Sequence, residues 1–210
     1  MAAHARSERI LFYGLQPHNE LWADQVESHG LEGISFRFHW QGKVLPVNLP
    51  LLGAHSVWTA VAAAGVGLVE GMSWDEIVAG LSQPVKPLRM VIVPGVGQTT
   101  ILDDTYNAGP LSTLAALDFL STLDGRPIAV LGDMLELGGE EEAGHRRVGQ
   151  KAAEVVEKLI TVGPRARIIA EAAKAEGMSP ADVCITKTNQ EALDCLLSWM
   201  RPGDFILVKG

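Results

Sequence analysis

The sequence predicts an α/β protein, with a Rossmann-like doubly wound C-terminal domain preceded by a partial α/β segment that contains a β-hairpin. Three observations carry that expectation. Beyond residue 84, apolar runs of about five residues alternate with amphipathic stretches, the pattern of a parallel sheet with helices on both faces. Before it, Gly33-Ile-Ser-Phe-Arg-Phe-His-Trp40 alternates Ile34, Phe36, Phe38 and Trp40 against Ser35, Arg37 and His39, the period of a half-buried strand. Between the two, Ser82-Gln-Pro-Val-Lys-Pro87 breaks all periodicity, so a linker is expected there, with domains at 1–83 and 84–210 and few contacts across the boundary.

Taken in order, Arg9-Ile-Leu-Phe-Tyr-Gly14 reads as a strand. The alternating run from Gly33 then turns through Gln41-Gly42 into Lys43-Val-Leu-Pro-Val-Asn-Leu-Pro50, a hairpin. Gly53-Ala-His-Ser56 opens a helix over 57–69, with Ser56 as candidate N-cap, and Ser73-Trp-Asp-Glu76 has the spacing of a capping box for a second helix ending near Gly80. In the second region strands are expected at 90–93, 99–103, 128–131, 159–162, 183–186 and 205–208, and helices at 112–122, 141–156, 166–176 and 190–200.

Composition limits the partners. Lys and Arg number 17 against 25 Asp and Glu, a net charge of -8, so no cationic field gathers nucleic acid or anionic lipid. The longest apolar stretch, 57–69, falls short of the roughly 20 residues that span a bilayer. With two cysteines and no apolar leader at the N-terminus, a cytoplasmic location is expected. Cys184 and Cys195 have neither Cys-x-x-Cys nor Cys/His spacing and read as two buried thiols without function. The oligomeric state has no signature in the sequence.

Three segments follow one another: Thr100-Ile-Leu-Asp-Asp-Thr-Tyr-Asn-Ala-Gly-Pro110, Ile128-Ala-Val-Leu-Gly-Asp-Met-Leu-Glu-Leu-Gly138 and His145-Arg-Arg-Val-Gly149. In that order and spacing they resemble the Mur ligase family, in its branch that joins D-alanyl-D-alanine to a UDP-N-acetylmuramoyl-tripeptide. Gly53-Ala-His55 before an alanine-rich helix, Arg89 and the closing Phe205-Ile-Leu-Val-Lys-Gly210 extend the resemblance over nearly the whole chain.

The resemblance implies an ATP-dependent carboxylate-amine ligase of peptidoglycan synthesis, using ATP and Mg2+, with UDP-muramoyl-peptide and D-alanyl-D-alanine as substrates. It implies that 1–83 is the end of a central ATPase domain and that the chain is an internal fragment. The P-loop and the Mg2+ ligands would then lie upstream, and the fragment alone would be inactive. No G-x-x-x-x-G-K-[ST] occurs in the 210 residues. A ligase of folylpolyglutamate or cyanophycin synthetase type, and a noncatalytic nucleotide-binding module, are the alternatives.

By the same resemblance Arg89 reaches ATP phosphates, a task that suits a planar guanidinium. Asp104, with Asp103 before it, accepts the ribose hydroxyls; two carboxylates at the end of a strand also occupy the edge where open α/β sheets bind ligands. The equally simple reading of that pair is an Asx turn. His55 falls beside the adenine, where Ser56 and Thr59 replace the family's two asparagines and keep hydrogen-bonding hydroxyls. Gly109 replaces another asparagine. Tyr106 and Asn107 shape the nucleotide or dipeptide pocket, and Asp133, Glu136 and His145 are expected to line the cleft that receives the amine. Glu142-x-x-His145 has the spacing of half a di-metal motif with no second copy, so no metal site is assigned. Glu140 to Glu142 read as a solvated first helical turn.

Overall fold

The structure, a computed structural model, describes residues 10–83 and 90–210. Two units divide the chain, Met1–Val85 and Lys86–Gly210, each built around its own sheet. The N-terminal segment to Arg9, and residues 84–89 with the linker prolines and Arg89, lie outside the described residues.

In the first unit β1 (Tyr13–Gly14), β2 (Leu21–Ser28), β3 (Ile34–Trp40) and β4 (Lys43–Leu49) lie side by side in sequence order. β1 is parallel to β2 and the other pairs are antiparallel. Gln41 and Gly42 both take positive φ, 49° and 75°. Such a pair makes the tight turn whose twist matches the strands it joins. Phe36, Phe38 and Leu49 project from one face onto Val57, Ala60, Val61 and Ala64 of α1 (Val57–Val69) and Ile77 of α2 (Trp74–Leu81).

The sequence pattern does not announce β2. Opposite β3, Asp24 pairs with Arg37 but Glu27 with Ser35, so three steps face two, and Gln25 sits at φ 49°. This bulge moves the inward side from Leu21 and Ala23 to Val26, and the alternation that marks a strand is lost. Ser73 and Glu76 form the expected capping box, with Ser73 N–H donating to Glu76 at 2.8 Å and Glu76 N–H to Ser73 at 3.3 Å. These bonds hold the Glu76 carboxyl below its ordinary range. Ser56 stands at the N-cap of α1 but makes no cap. Its backbone is already helical, and its hydroxyl donates backward to Leu52 O at 2.6 Å.

The second unit runs β5 (Val91–Pro94), β6 (Thr100–Asp104), α3 (Pro110–Leu120), β7 (Arg126–Gly132), α4 (Glu141–Val155), β8 (Lys158–Val162), α5 (Arg167–Ala175), β9 (Val183–Thr186), α6 (Asn189–Trp199) and β10 (Asp204–Lys209). The strand order is β5-β6-β10-β7-β8-β9. All neighbours are parallel except β5, which is antiparallel to β6. Only residues 95–99 join those two strands, closed by Gly95 N–H on Thr99 O at 2.8 Å. A parallel crossover needs a dozen or more residues, so a hairpin is the available geometry.

From β7 to β9 the chain moves one way across the sheet, then α6 carries it back to β10 between β6 and β7. Right-handed crossovers therefore put α6 on the face opposite the earlier helices. Ala192 and Leu196 of α6 pack on Ile128, Val130, Ile160 and Ile206, while Leu102, Ala129, Leu131, Leu159 and Leu207, of the other parity, are buried too. At the start of β10, Asp204 accepts from Arg126 at 2.8 and 2.7 Å and from Arg201 N–H at 2.7 Å. Burial works against the Asp204 charge, but the Arg126 guanidinium holds its carboxyl below the usual range.

Cys184 and Cys195 are half-buried rather than fully buried, and they meet between β9 and α6. Burial and the neighbouring Cys184 thiol push Cys195 up to about 12, which makes it a poor nucleophile. Among the described residues no helix is long and apolar enough to cross a membrane.

Candidate functional site

Directly opposed residues of parallel strands point their side chains to the same face, and Lys209 at the end of β10 stands opposite Asp104 at the end of β6. Both are buried, at 2% and 6% exposure. The Lys209 ammonium donates to Asp104 Oδ2 at 2.5 Å and to Asn107 O at 2.9 Å. Asp104 Oδ1 accepts from Met90 N–H at 3.2 Å, where Met90 turns the chain at φ 52° into β5. One carboxylate at the C-terminal edge of the sheet thus ties β5, β6, β10 and the loop after β6. A carboxylate offers about four acceptor positions, and the described residues use two.

Asp103, of the other parity, accepts from Thr105 N–H at 3.2 Å and Thr105 Oγ1 at 2.7 Å. That is an Asx turn, which bends the chain out of β6. Tyr106 is 76% exposed on the loop. Gly109 caps α3 in an extended conformation, φ -146°, with Pro110 at the first helical position and Ser112 exchanging hydrogen bonds with its backbone. Nothing in that φ demands glycine, so its exchange with asparagine leaves the helix start intact.

The structure puts Asp133, Glu136 and His145 in three different surroundings. Asp133 Oδ1 accepts from Arg165 N–H at 2.9 Å and Ala166 N–H at 2.7 Å, capping the start of α5. The approach requires Gly163, at φ 109°, since a Cβ there would stand 2.5 Å from Asp133 Oδ1. Glu136 is exposed in a left-handed conformation at φ 60°. His145 does not line the cleft. It is fully buried, its Nδ1 donates to Glu141 O at 2.6 Å, and its Nε2 accepts from Met134 N–H at 3.1 Å. Both ring nitrogens are spent on holding the loop after β7 to the first turn of α4. That turn is also not merely solvated: Glu141 pairs with Arg165 at 2.8 Å and Glu142 with Arg146 at 2.8 Å.

An open cleft of about 650 Å³ lies at this edge of the second unit, walled by Thr105, Asp133, Asn189 and Lys209 and floored by Ile101 and Val130. Two cations near it escape the sequence patterns. Lys209 is visible in the closing strand motif but without a role. Arg165, half-exposed and 4.0 Å from Asp133 Oδ2, follows β8 in Gly163-Pro-Arg165, where its one local signal is position after a strand.

In the first unit His55 and Thr59 are exposed, His55 in the turn Ala54–Ser56 and Thr59 in the first turn of α1, with half-buried Ser56 between them. Arg89 lies outside the described residues. Among the described residues no group of three or more His, Cys, Asp or Glu could hold a metal ion.

A family model described as Mur ligase, glutamate ligase domain, matches residues 88–210. The UDP-N-acetylmuramoyl-tripeptide–D-alanyl-D-alanine ligase of Mycobacterium tuberculosis is 34% identical over 229 aligned positions, taking in 99% of this chain and 45% of that protein. The ligase of the same name from Escherichia coli K12 is 36% identical over 70% of this chain and 32% of its own length. Among solved structures, MurF from Acinetobacter baumannii superposes with TM-score 0.81 at 29% identity, over 96% of this chain and 44% of that one. MurF from Thermotoga maritima in complex with ADP has TM-score 0.76 at 20% identity, a likeness of fold, over 95% of this chain and 44% of that one. The chain spans about 45% of the length of the mycobacterial relative.

Proposed function

The chain belongs to the Mur ligase family, and from that premise we propose that it forms part of a cytoplasmic ligase adding D-alanyl-D-alanine to UDP-N-acetylmuramoyl-tripeptide in peptidoglycan synthesis. ATP, with Mg2+, would phosphorylate the tripeptide's carboxylate, and the dipeptide's amine would displace phosphate from the acyl phosphate. The observation that carries this reading is the gathering of Asp104, Asn107 and their loop at the C-terminal edge of a parallel sheet, where this architecture binds ligands.

In this reading the acceptor positions of Asp104 that the described residues leave open receive the ribose hydroxyls, while the Asx turn at Asp103 aims the loop that carries Tyr106 and Asn107. Arg165 meets the carboxylate of the incoming dipeptide by exchanging it for Glu141, as a forked guanidinium can. Asp133 contributes by fixing the backbone of Arg165. Glu136, exposed on the loop after β7, is left to the rim of the amine site. Arg89 keeps the phosphate role, and His55, Ser56 and Thr59 the adenine side. Residues 1–83 are the end of the ATPase domain. The 210 residues alone turn over no ATP, because phosphoryl transfer needs a phosphate cradle and this sequence has no Walker-type loop.

A chimera tests the assignment. These 210 residues replace the matching 45% of the mycobacterial relative, and ADP release coupled to amide formation is followed. Turnover with D-alanyl-D-alanine that Asp104→Ala lowers more than tenfold is expected. A folded chimera that binds nucleotide without forming the amide would favour the noncatalytic module.

A further inference from the structure

The closing strand matches the family pattern, yet the proposed chemistry gives its lysine nothing to do. Lys209 is nonetheless one of the largest fully buried side chains among the described residues. Removing an ammonium from water costs several kcal/mol unless its partners are well made. Here they are specific: Asp104, 105 residues earlier in the chain, and the carbonyl of Asn107.

We propose that Lys209 is a positioning residue for nucleotide binding, holding the Asp104 carboxylate and the loop 105–109 in the pose that a ribose diol requires. The proposal rests on Asp104 being the ribose contact. Three features support it. The ammonium engages Oδ2 while Met90 N–H engages Oδ1, so the carboxylate is held from two sides and cannot rotate. Its second bond, to Asn107 O, fixes the loop that follows Asp104, so one side chain sets both the acceptor and the wall beside it. The pair also lies at the C-terminal edge of the sheet, where this architecture binds ligands, whereas the Arg126–Asp204 pair lies at the other end of the same strand. A lysine serving only the fold has no need to bind a loop carbonyl at the ligand edge.

The test measures Mg-ADP binding to the chimera that carries these 210 residues behind the mycobacterial relative's upstream segment, by ligand-observed NMR alongside thermal melts, for the wild-type chimera, Asp104→Asn, Lys209→Gln and the double variant. Glutamine keeps an amide donor for Asn107 O, and methionine in its place serves as the second variant should Lys209→Gln not fold. Loss of a charge-assisted contact should weaken Mg-ADP about tenfold in each single variant. The double variant should be no weaker than Asp104→Asn alone, because Lys209 acts through that carboxylate. A merely structural lysine would lower the melting temperature and leave the affinity of the folded protein unchanged, which overturns the proposal. Multiplying losses in the double variant overturn it as well, since Lys209 would then act by another route. If Asp104→Asn binds as the wild type does, or the wild type binds no Mg-ADP, the ribose reading itself fails and takes the positioning role with it.

Discussion

β10 begins and ends with a buried ion pair, and the two ends differ in what surrounds the charge. At its start Asp204 meets Arg126 in a two-toothed pair whose remaining bonds go to Trp199 O and Arg201 N–H, all within the turn that enters the strand. At its end Lys209 meets Asp104, and the further bonds go to the loop after β6 and to the entry of β5. Both pairs are largely removed from water, the first as a two-toothed fork and the second as a single contact. The N-terminal pair closes the fold on itself, while the C-terminal pair ties the loop after β6 and the entry of β5 together at the C-terminal edge of the sheet. A buried ion pair is weak evidence of function, and its place on the sheet supplies what its chemistry does not.

The largest effect expected is at the closed end. Arg126→Met leaves Asp204 buried without its counter-charge and should cost about 3–5 kcal/mol of the second unit's stability in urea unfolding. A loss under about 1 kcal/mol would show that water reaches Asp204 and would break the comparison. His145 sharpens the contrast with a buried group that carries no charge in this tautomer. His145→Leu strands Met134 N–H, at an expected cost of about 2 kcal/mol, with Mg-ADP affinity of the folded protein unchanged. A weakened affinity would return His145 to the cleft. Smaller again is Ser73→Ala, which removes the cap of α2 and should cost about 1 kcal/mol in the first unit alone. Loss in the second unit's transition would mean that the two units do not melt separately.

Much of the fold was legible because its signals are local. α1 falls on 57–69 as periodicity requires, the Ser73-Glu76 spacing caps α2, and Gln41-Gly42 turns the hairpin. β2 escaped because a single bulge at Gln25 shifts its parity, and the antiparallel β5 because direction depends on loop length rather than apolar content. The site was legible as three motifs in order but not as an arrangement. Insertion of β10 between β6 and β7 brings Lys209 to Asp104, and no periodicity reports which strand lies between two others. His145 was misplaced for a related reason: a histidine four residues into a helix looks the same whether its ring faces a cleft or the underside of a loop.

A third ion pair, in the first unit, extends the comparison into water. Asp24 accepts two bonds from Arg37, each 2.8 Å, with His39 Nε2 3.0 Å away and stacked on Trp22. The pairing with Arg37, against a smaller opposing effect of burial and with help from His39, lowers the Asp24 carboxyl to about 2 from 3.8. Because the folded-state value is depressed, the stabilisation is fully present above 3.8 and is lost as pH falls from there through about 2. About a third of each side chain remains exposed, so solvent screening leaves the pair only a small contribution. In an NMR titration Arg37→Met should return the Asp24 carboxyl most of the way to its ordinary value. The first unit's stability between pH 5 and 7 should fall by no more than that small amount. The two-toothed geometry matches that of Arg126 with Asp204, so the contrast with the several kcal/mol expected there isolates burial as the cause. A loss from Arg37→Met as large as that from Arg126→Met would show instead that the geometry of the fork, and not its removal from water, sets the cost.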